Sequence, residues 1–550
     1  MSTIRFGGMA SGLDTESMVK ELMKAERAKV DKLQQSKQTK TWVQEAYNDM
    51  NKSFANFILD SKKALGITRT SSTGSTFSTS YSSFTWVKSA SSSNESTFTA
   101  TATTSAVSGT HSIKVEKLAE GVNKASIKDI AARNVELGGA LTDVTSTTKL
   151  SELGAGGSVN IKTTSGEVNI SITADKTIAD IVNEINSGNL GIKATFDDTS
   201  NRFFISTTSM GSNAKINITE TIDSGKKRVF AESAEGAEDS IFATDLAAGV
   251  DITGQDAEIE FDGAAGIKYS SNQFTINGIT IDLKAAQPGV TNTIKVDTNT
   301  DGIVEKVKAF VDSYNTLIDS VNTKLGEKKY RDYQPLTDEQ KEAMDEDTIK
   351  LWEEKAKSGL LRNDSTLQRT LETIRSSLYE KVEGVSGSFS SMFEIGITTG
   401  SYTDKGKLEI DETKLREKIM QDPEGVMELL FKTSSSTDED TKKAETGIIN
   451  RIYDNMVEGM KDVIDKAGAG DNASLYRKVQ SNIMIEFVVK GSKSLIDEDL
   501  LSIAKRIDTE NDRLSDVEDR YWKRFTALEK AMQQMNSQSS WLSQQLGGGQ

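Results

Sequence analysis

From Leu500 to Leu542 a large apolar residue returns at every seventh position: Leu500, Ile507, Leu514, Tyr521, Leu528, Met535 and Leu542, with no proline in between. A strict sevenfold repeat keeps one stripe of a slightly under-wound helix facing a partner, because 3.5 residues per turn maps the repeat onto one face. At about 1.5 Å per residue the segment makes a rod roughly 65 Å long, too long to lie inside one small domain. The register three residues on (Ile503, Glu510, Val517, Arg524, Ala531, Gln538) is half polar. The stripe is therefore narrow, suited to packing beside a few helices rather than to sealing a core.

The opposite end of the chain offers a mate. Leu33, Val43, Tyr47, Met50, Phe54 and Phe57 follow mostly three- and four-residue steps in a run without proline. The run opens as a helix should: in Gly12-Leu13-Asp14-Thr15-Glu16-Ser17 a short polar side chain can accept from an orphan N–H, and Glu16 sits where the helix dipole favours an anion. Both ends of the chain read as helix, with something else between them.

Composition removes several kinds of function. The chain has no cysteine, which excludes disulfides, thiolate catalysis and cysteine-ligated zinc, and its single histidine, His111, leaves little material for a histidine relay or metal triad. A net charge of −16 argues against nucleic acid as a partner, and the basic run Lys226-Lys227-Arg228 reads as a solvated turn. Only Pro288, Pro335 and Pro423 interrupt 550 residues, a frequency that suits long helices. Met1 to Gly8 holds no apolar core of the Sec signal type, and no window approaches 18 apolar residues, so no membrane span is expected.

Between the ends the texture changes. Serine and threonine dominate Ser71 to Gly109, with alternation at Phe84-Thr85-Trp86 and Phe98-Thr99-Ala100, the period of a half-buried strand. Alternating runs continue at His111 to Val115, Val159 to Ile161 and Val168 to Ile172, then at Ala257 to Phe261 and Phe274 to Leu283. One short helix is predicted among them, with Thr177 as N-cap, Asp180 at N3, Ile178, Ile181, Val182 and Ile185 on its apolar face and Gly188 as its stop. Ile192 to Phe196 and Phe203 to Ser206 flank turn residues and read as a hairpin. Helical periodicity resumes at Asp301-Gly302, where Ile303, Val307, Phe310, Tyr314, Leu317 and Val321, widened by Val304, Val311 and Ile318, give a stripe fit for a bundle. Tyr330 to Trp352 reads as a charged linker and Thr433 to Lys443 as a polar loop, with helix again from Gly447. The expected fold is α+β and multidomain: a β-rich head inserted into a helical stalk, coiled coil or bundle, formed by the N- and C-terminal helices.

No motif for chemistry is complete. Asp297-Thr298-Asn299-Thr300-Asp301-Gly302 copies the first half of a calcium loop, but its twelfth position is Lys308 and a helix has already begun at Gly302. Gly154-Ala155-Gly156-Gly157 lacks the helix and lysine of a phosphate loop, and Ser17-Met18-Val19-Lys20 matches S-x-x-K as chance allows in a serine- and lysine-rich chain. No catalytic residue, cofactor or metal is expected, and the chain does not read as an enzyme.

Several ordered segments resemble one family, the bacterial flagellar filament cap proteins, or hook-associated protein two. They are Gly7-Gly8-Met9-Ala10-Ser11-Gly12-Leu13-Asp14-Thr15-Glu16-Ser17 with Glu26-Arg27-Ala28, Leu33, Trp42 and Tyr47; Thr177 to Ile218 with Ile181-Val182-Asn183-Glu184-Ile185-Asn186; and Phe310-Val311-Asp312-Ser313-Tyr314-Asn315. Gly359 to Leu367, Ile395-Gly396-Ile397 with Gly406-Lys407-Leu408-Glu409-Ile410-Asp411-Glu412 and Leu415, Asp422-Pro423 with Leu430-Phe431, and the rod with Tyr521-Trp522, Phe525 and Leu528 complete the set. Glu120 to Gly157, Ser233 to Thr253 and the charged insert Asp338 to Lys357 depart from the family pattern.

The resemblance implies a cap at the distal tip of the filament, secreted through the flagellar type III channel, that holds exported flagellin, promotes its folding and polymerisation, and prevents its leakage. It implies a ring-like homo-oligomer, with five subunits as one candidate number. The implied partners are flagellin and the filament end, hook–filament junction proteins, and an export chaperone at the C-terminal helix; neither nucleic acid nor membrane is among them. The division expected is a terminal coiled-coil leg (residues 1–45 and 505–550), a helical leg domain (46–70 and 300–504), an inner β head (71–108 and 245–299) and an outer β head with the flagellin/hook-type motif (109–244). Val43, Tyr47, Met50, Phe54, Ile507, Leu514, Tyr521, Leu528, Met535 and Leu542 are the candidates for leg packing and for oligomer or filament contact, and Gly547-Gly548-Gly549 is expected to fray. A tip adhesin, or a junction or flagellin-like structural protein, is the alternative: small closed rings would favour a cap over flagellin, and binding of the head to mucin or host glycans would favour an adhesin.

Overall fold

Asp14 accepts a hydrogen bond from Ser17 N at 2.9 Å and so starts the first helix, α1 (Thr15–Leu65). Gly66 ends it in the left-handed region (φ 77), its N–H returning to the carbonyls of Lys62 and Lys63, a conformation that costs glycine nothing. The computed structural model describes residues 14–71, 76–232, 240–479 and 493–547, so Gly7 to Leu13 of the family-like start and Gly548-Gly549 of the glycine-rich end lie outside them. The chain divides into two units: a helical one built from residues up to 81 and from 303 onward, and a β-rich one from 82 to 302.

The β-rich unit holds two separate cores. The first lies between a five-stranded antiparallel sheet (order Ala264–Tyr269, Ala257–Phe261, Gly109–Lys117, Asn292–Thr298, Lys88–Ser92) and a three-stranded one (Gln273–Ile276, Ile279–Leu283, Phe98–Ala102). Its interior is filled by Phe98, Ile113, Val115, Ile259, Ile281 and Ile294 among others. The second core, from Val122 to Leu246, is enclosed by a four-stranded sheet (Ile252–Thr253, Lys215–Ile222, Gly157–Thr163, Glu167–Ile172) and a three-stranded one (Asn123–Ala125, Arg202–Thr207, Ile192–Asp197). Two short helices complete it, α2 (Ile130–Glu136) and α3 (Ile178–Ser187). Helix α3 begins at the predicted capping box, Thr177 and Asp180 bonding each other's backbone N–H, and buries Ile178, Ile181 and Ile185.

Two sequence expectations fail in this unit. Phe84-Thr85-Trp86 is not a strand: the rings of Phe84 and Trp86 stack at 5.2 Å, and the strand begins at Lys88 instead. Phe274 to Leu283 is not one strand but a hairpin turning at Asn277-Gly278, because an Asn-Gly pair adopts positive φ at both residues without strain.

Helix α4 (Thr300–Gly326) opens the second half of the helical unit, and α5 (Asp338–Glu342) and α6 (Glu346–Lys357) follow. The charged segment expected to be a linker is thus largely helical, each of these two short helices started by its own cap, Thr337 and Asp345. Next come α7 (Ser365–Tyr379), a hairpin of Ile397–Thr399 and Leu408–Ile410, α8 (Glu412–Gln421), α9 (Pro423–Phe431), α10 (Glu439–Glu445), α11 (Ile448–Ala467) and α12 (Ala473–Lys478). The polar loop predicted at Thr433 to Lys443 is in part helix, since Asp438 caps α10. The chain closes with α13 (Leu495–Gly547). Here Ser494 and Asp497 form a reciprocal cap at its start.

Candidate functional site

Helices α1 and α13 run antiparallel in one register. Glu26 pairs with Arg513 at 3.1 Å, Lys29 with Glu510, and Lys40 with Asp499 at 2.6 Å, and the residue numbers in each pair add to 539. Along the same seam Val19, Met23 and Val30 pack with Leu514 and Val517, flanked by Ile507, Tyr521, Trp522 and Phe525. Val19, Met23, Glu26, Val30 and Leu33 step by four, three, four and three, so the true mate of the ladder is a heptad that starts well before Leu33. Glu26 occupies one of its positions and hides the pattern from a search for apolar residues alone. Glu510, which looks like a defect in the second register of α13, binds both Lys29 and Arg513 (2.9 Å). Those two cations hold its carboxyl below the usual range. Exposed pairs of this kind contribute little energy, so they serve register more than stability.

The ladder divides into two parts. Leu514 is 7 % exposed, and Leu500, Ile507 and Tyr521 are half-buried, whereas Leu528, Met535 and Leu542 are 47, 65 and 54 % exposed. In the register of the ion pairs Ile507, Leu514 and Tyr521 fall opposite described residues of α1, whereas Leu528, Met535 and Leu542 do not. Trp541 is exposed beside them, and from Ala531 to Gly547 the helix carries no charged residue. This last part of α13, roughly 25 Å at about 1.5 Å per residue, therefore presents an uncharged, partly apolar surface.

The remaining candidates lie elsewhere. Tyr47, Met50 and Phe54 are buried and Val43 is half-buried. Tyr47 faces α7 and α11 rather than α13: its hydroxyl donates to Asp364, which also accepts from Lys466 Nζ at 2.8 Å and from the N–H groups of Thr366 and Leu367 at the start of α7. Lys466 lies 4.8 Å over the Tyr47 ring. Burial pushes the Asp364 carboxyl up, but Lys466 and Tyr47 outweigh it and hold it below its ordinary value. Burial, followed by Asp364, pushes the Tyr47 hydroxyl far up. Asn51 donates to the Met460 carbonyl and Phe57 sits amid Phe310, Tyr314 and Tyr453. These residues fix α1 to the bundle. Being buried, Tyr47, Met50 and Phe54 pack inside the helical unit rather than on its surface.

The family-like motifs of the helical unit bind one another. Asn315 donates to the Leu408 carbonyl and accepts from Leu408 N–H, both at 2.8 Å, and Tyr314 OH donates to the Gly406 carbonyl at 3.2 Å. Lys407 pairs with Asp319 at 2.6 Å. One face of α4 thus recognises the hairpin backbone. Arg451 of α11, buried without a carboxylate partner among its hydrogen bonds, donates to four carbonyls, those of Ser377, Glu380, Lys381 and Ala444. Sequence reasoning gave no role to Arg451 and had Asp364 only as part of the Gly359 to Leu367 segment, because the side chains and carbonyls they join are distant: Tyr47 and Lys466 lie 317 and 102 positions from Asp364, and Ser377, Glu380 and Lys381 lie 74, 71 and 70 from Arg451.

The calcium-like segment is occupied by ordinary structure. Asp297 lies within a strand opposite Ser89, the Asn299 side chain accepts from Gly302 N–H at 3.0 Å as the cap of α4, and Lys308 pairs with Glu412 at 2.9 Å. Among the described residues no group of three or more His, Cys, Asp or Glu side chains is arranged to hold a metal ion, and no helix is long and apolar enough to cross a membrane.

Known proteins match this chain in sequence over nearly its whole length and in fold over three quarters of it. Residues 254–537 match the family described as flagellar hook-associated protein 2 C-terminus, residues 11–121 its N-terminal counterpart, and residues 157–209 the flagellin hook IN motif. The flagellar hook-associated protein 2 of Halalkalibacterium halodurans is 31 % identical over 98 % of this chain and 99 % of its own length, and that of Escherichia coli is 25 % identical over 99 and 98 %. The crystal structure of the D1-D2-D3 domains of the Escherichia coli flagellar cap protein superposes with a TM-score of 0.51, at 21 % identity, over 75 % of this chain and 95 % of that one.

Proposed function

The chain belongs to the flagellar hook-associated protein 2 family, and we propose that it caps the flagellar filament, holding exported flagellin at the tip and promoting its polymerisation there. The observation that carries the reading to particular residues is the divided ladder: the proximal half is closed by α1, and the distal half, Leu528, Met535 and Leu542, stands exposed, the last two on a stretch without charged residues. In this reading the proximal seam builds a leg, and the distal stripe is what the leg offers to its surroundings, the filament end first. A neutral, narrow stripe gives shallow packing that can be made and released as the cap advances. The ring-like assembly, secretion, the junction proteins and an export chaperone at α13 belong to the same proposal, as does the four-part division of leg, helical leg domain, inner head and outer head.

The test separates the two halves of the ladder. Replacing both Leu528 and Met535 by Asp should abolish filament growth in cells while the purified protein keeps its α1–α13 seam. Filaments of normal length from a strain expressing only that variant would overturn the assignment.

A further inference from the structure

The sole histidine lies at the start of strand Gly109–Lys117, and both of its ring nitrogens meet acceptors. His111 Nδ1 is 2.7 Å from Asp262 Oδ2, and Nε2 is 3.0 Å from the Val107 carbonyl oxygen. Neither acceptor carries a proton, so a neutral imidazole, with one N–H, can satisfy only one of them. The imidazolium satisfies both. The ring also lies against Phe261, 5.6 Å between centroids and 16° from parallel, at the end of the first β core.

The two acceptors belong to different parts of the unit. Asp262 is the turn between strands Ala257–Phe261 and Ala264–Tyr269, held at φ 47, and its second oxygen accepts from Ser112 N–H at 2.8 Å. Val107 lies in the loop 103–108. Thr104 and Ser105 of that loop donate through their N–H groups to the Phe84 and Ser82 carbonyls, the segment by which the chain enters the unit. Around the imidazole the charged groups are few and mostly engaged. The Lys88 ammonium bonds the adjacent Ala106 carbonyl at 2.5 Å, Lys114 pairs with Glu260 at 2.9 Å, and Lys295, next to the cross-strand neighbour Ile294, pairs with Asp297 at 2.8 Å. Asp262 is the carboxylate in contact with the ring.

We propose that His111 is a proton-operated staple: as imidazolium it ties the Asp262 turn to the loop 103–108, and on losing its proton it releases the Val107 carbonyl, so that the loop loosens as pH rises. The neutral ring keeps the bond to the carboxylate, the stronger of the two because its acceptor is charged. Asp262 first, and the Val107 carbonyl second, raise the imidazole above its ordinary 6.5. A raised value means that the staple stabilises fully below about 6.5 and is lost as pH climbs through the folded-state value.

With one histidine in the chain, its imidazole C–H signal in the full-length protein is assigned without ambiguity, and its titration reads the staple directly. The midpoint should lie above 6.5 and fall back toward it in Asp262→Asn. Hydrogen exchange at the amides of Thr104, Ser105 and Ala106, corrected for the intrinsic pH dependence, should accelerate about fivefold to tenfold across that midpoint, the worth of one hydrogen bond. In His111→Gln, which has no titrating ring, the same amides should show no such step. A midpoint at or below 6.5, or an exchange step that persists in His111→Gln, overturns the proposal.

Discussion

Truncating Leu514 and Leu528 to alanine, one at a time, separates the closed half of the α1–α13 ladder from the open half. Leu514 is 7 % exposed and packs with Val19, Met23, Val30 and Val517. Leu→Ala removes three carbons, each worth about 0.8 kcal/mol of transfer energy. The rod is narrow and can close over the gap, so the additional cavity cost should be small. The expected loss is about 2 kcal/mol, or about a thirtyfold rise in local opening. Leu528 keeps 47 % of its surface in water and sits past the described end of α1, so its truncation should change the seam by less than about 0.5 kcal/mol. Hydrogen exchange at the α1 amides from Val19 to Leu33 measures this opening without requiring the whole protein to unfold in one step, which a chain of two units has no reason to do. If Leu528→Ala opened the seam as far as Leu514→Ala, the ladder would be one continuous interface, and its division into a structural half and a contact half would be wrong.

Other expectations follow from the bundle. Asp364→Ala leaves Lys466 and the Tyr47 hydroxyl without their shared acceptor, and melting of the helical unit should show a loss of about 2 to 4 kcal/mol, as for a broken, partly buried charge network. The depressed Asp364 carboxyl contributes stability above its ordinary 3.8 that is lost as pH falls through the lower folded value; acid titration of stability should therefore be shallower in Asp364→Asn. Asn315→Ala removes both hydrogen bonds to Leu408 and should cost about 1 to 3 kcal/mol, read as faster exchange of the Leu408 amide. Gly459→Ala, favoured by helix propensity, should destabilise nonetheless, because an added Cβ would stand 2.3 Å from Thr370 Cγ2 where α11 crosses α7; a raised melting temperature would refute that packing.

Local signals carried some elements from sequence to structure and long-range ones did not. The Thr177–Asp180 box, the hairpin around Asp197 to Asn201 and the Asp14 cap each depend on residues within a few positions, and each forms as read. Phe84 to Trp86 alternates as a strand does, yet its two rings find each other instead of a sheet. Periodicity tells which face of a helix is apolar without telling where its partner stops, so Leu514 and Leu528 are indistinguishable in the ladder and opposite in exposure. The real mate was masked by Glu26, a charged residue at a seam position that an apolar count discards. The anchoring role of Tyr47 depends on Asp364, 317 residues away; nothing near either residue announces the other.

The pairing of Lys29 with Glu510 joins positions 481 apart, and this fixes an order of events. Whenever the chain is delivered from its first residue to its last, by a ribosome or through a narrow channel, the α1 half of the seam emerges early and must wait for nearly all of the rest. The β cores, whose strand pairings lie within residues 88–298, can form during that wait and shorten the effective loop that the seam must close. The α1–α13 seam is then the final piece to assemble. Until it does, the apolar stripe of α1 at Val19, Met23 and Val30 has no cover from its own chain, so the interval before closure is when this protein is most open to capture by other helices.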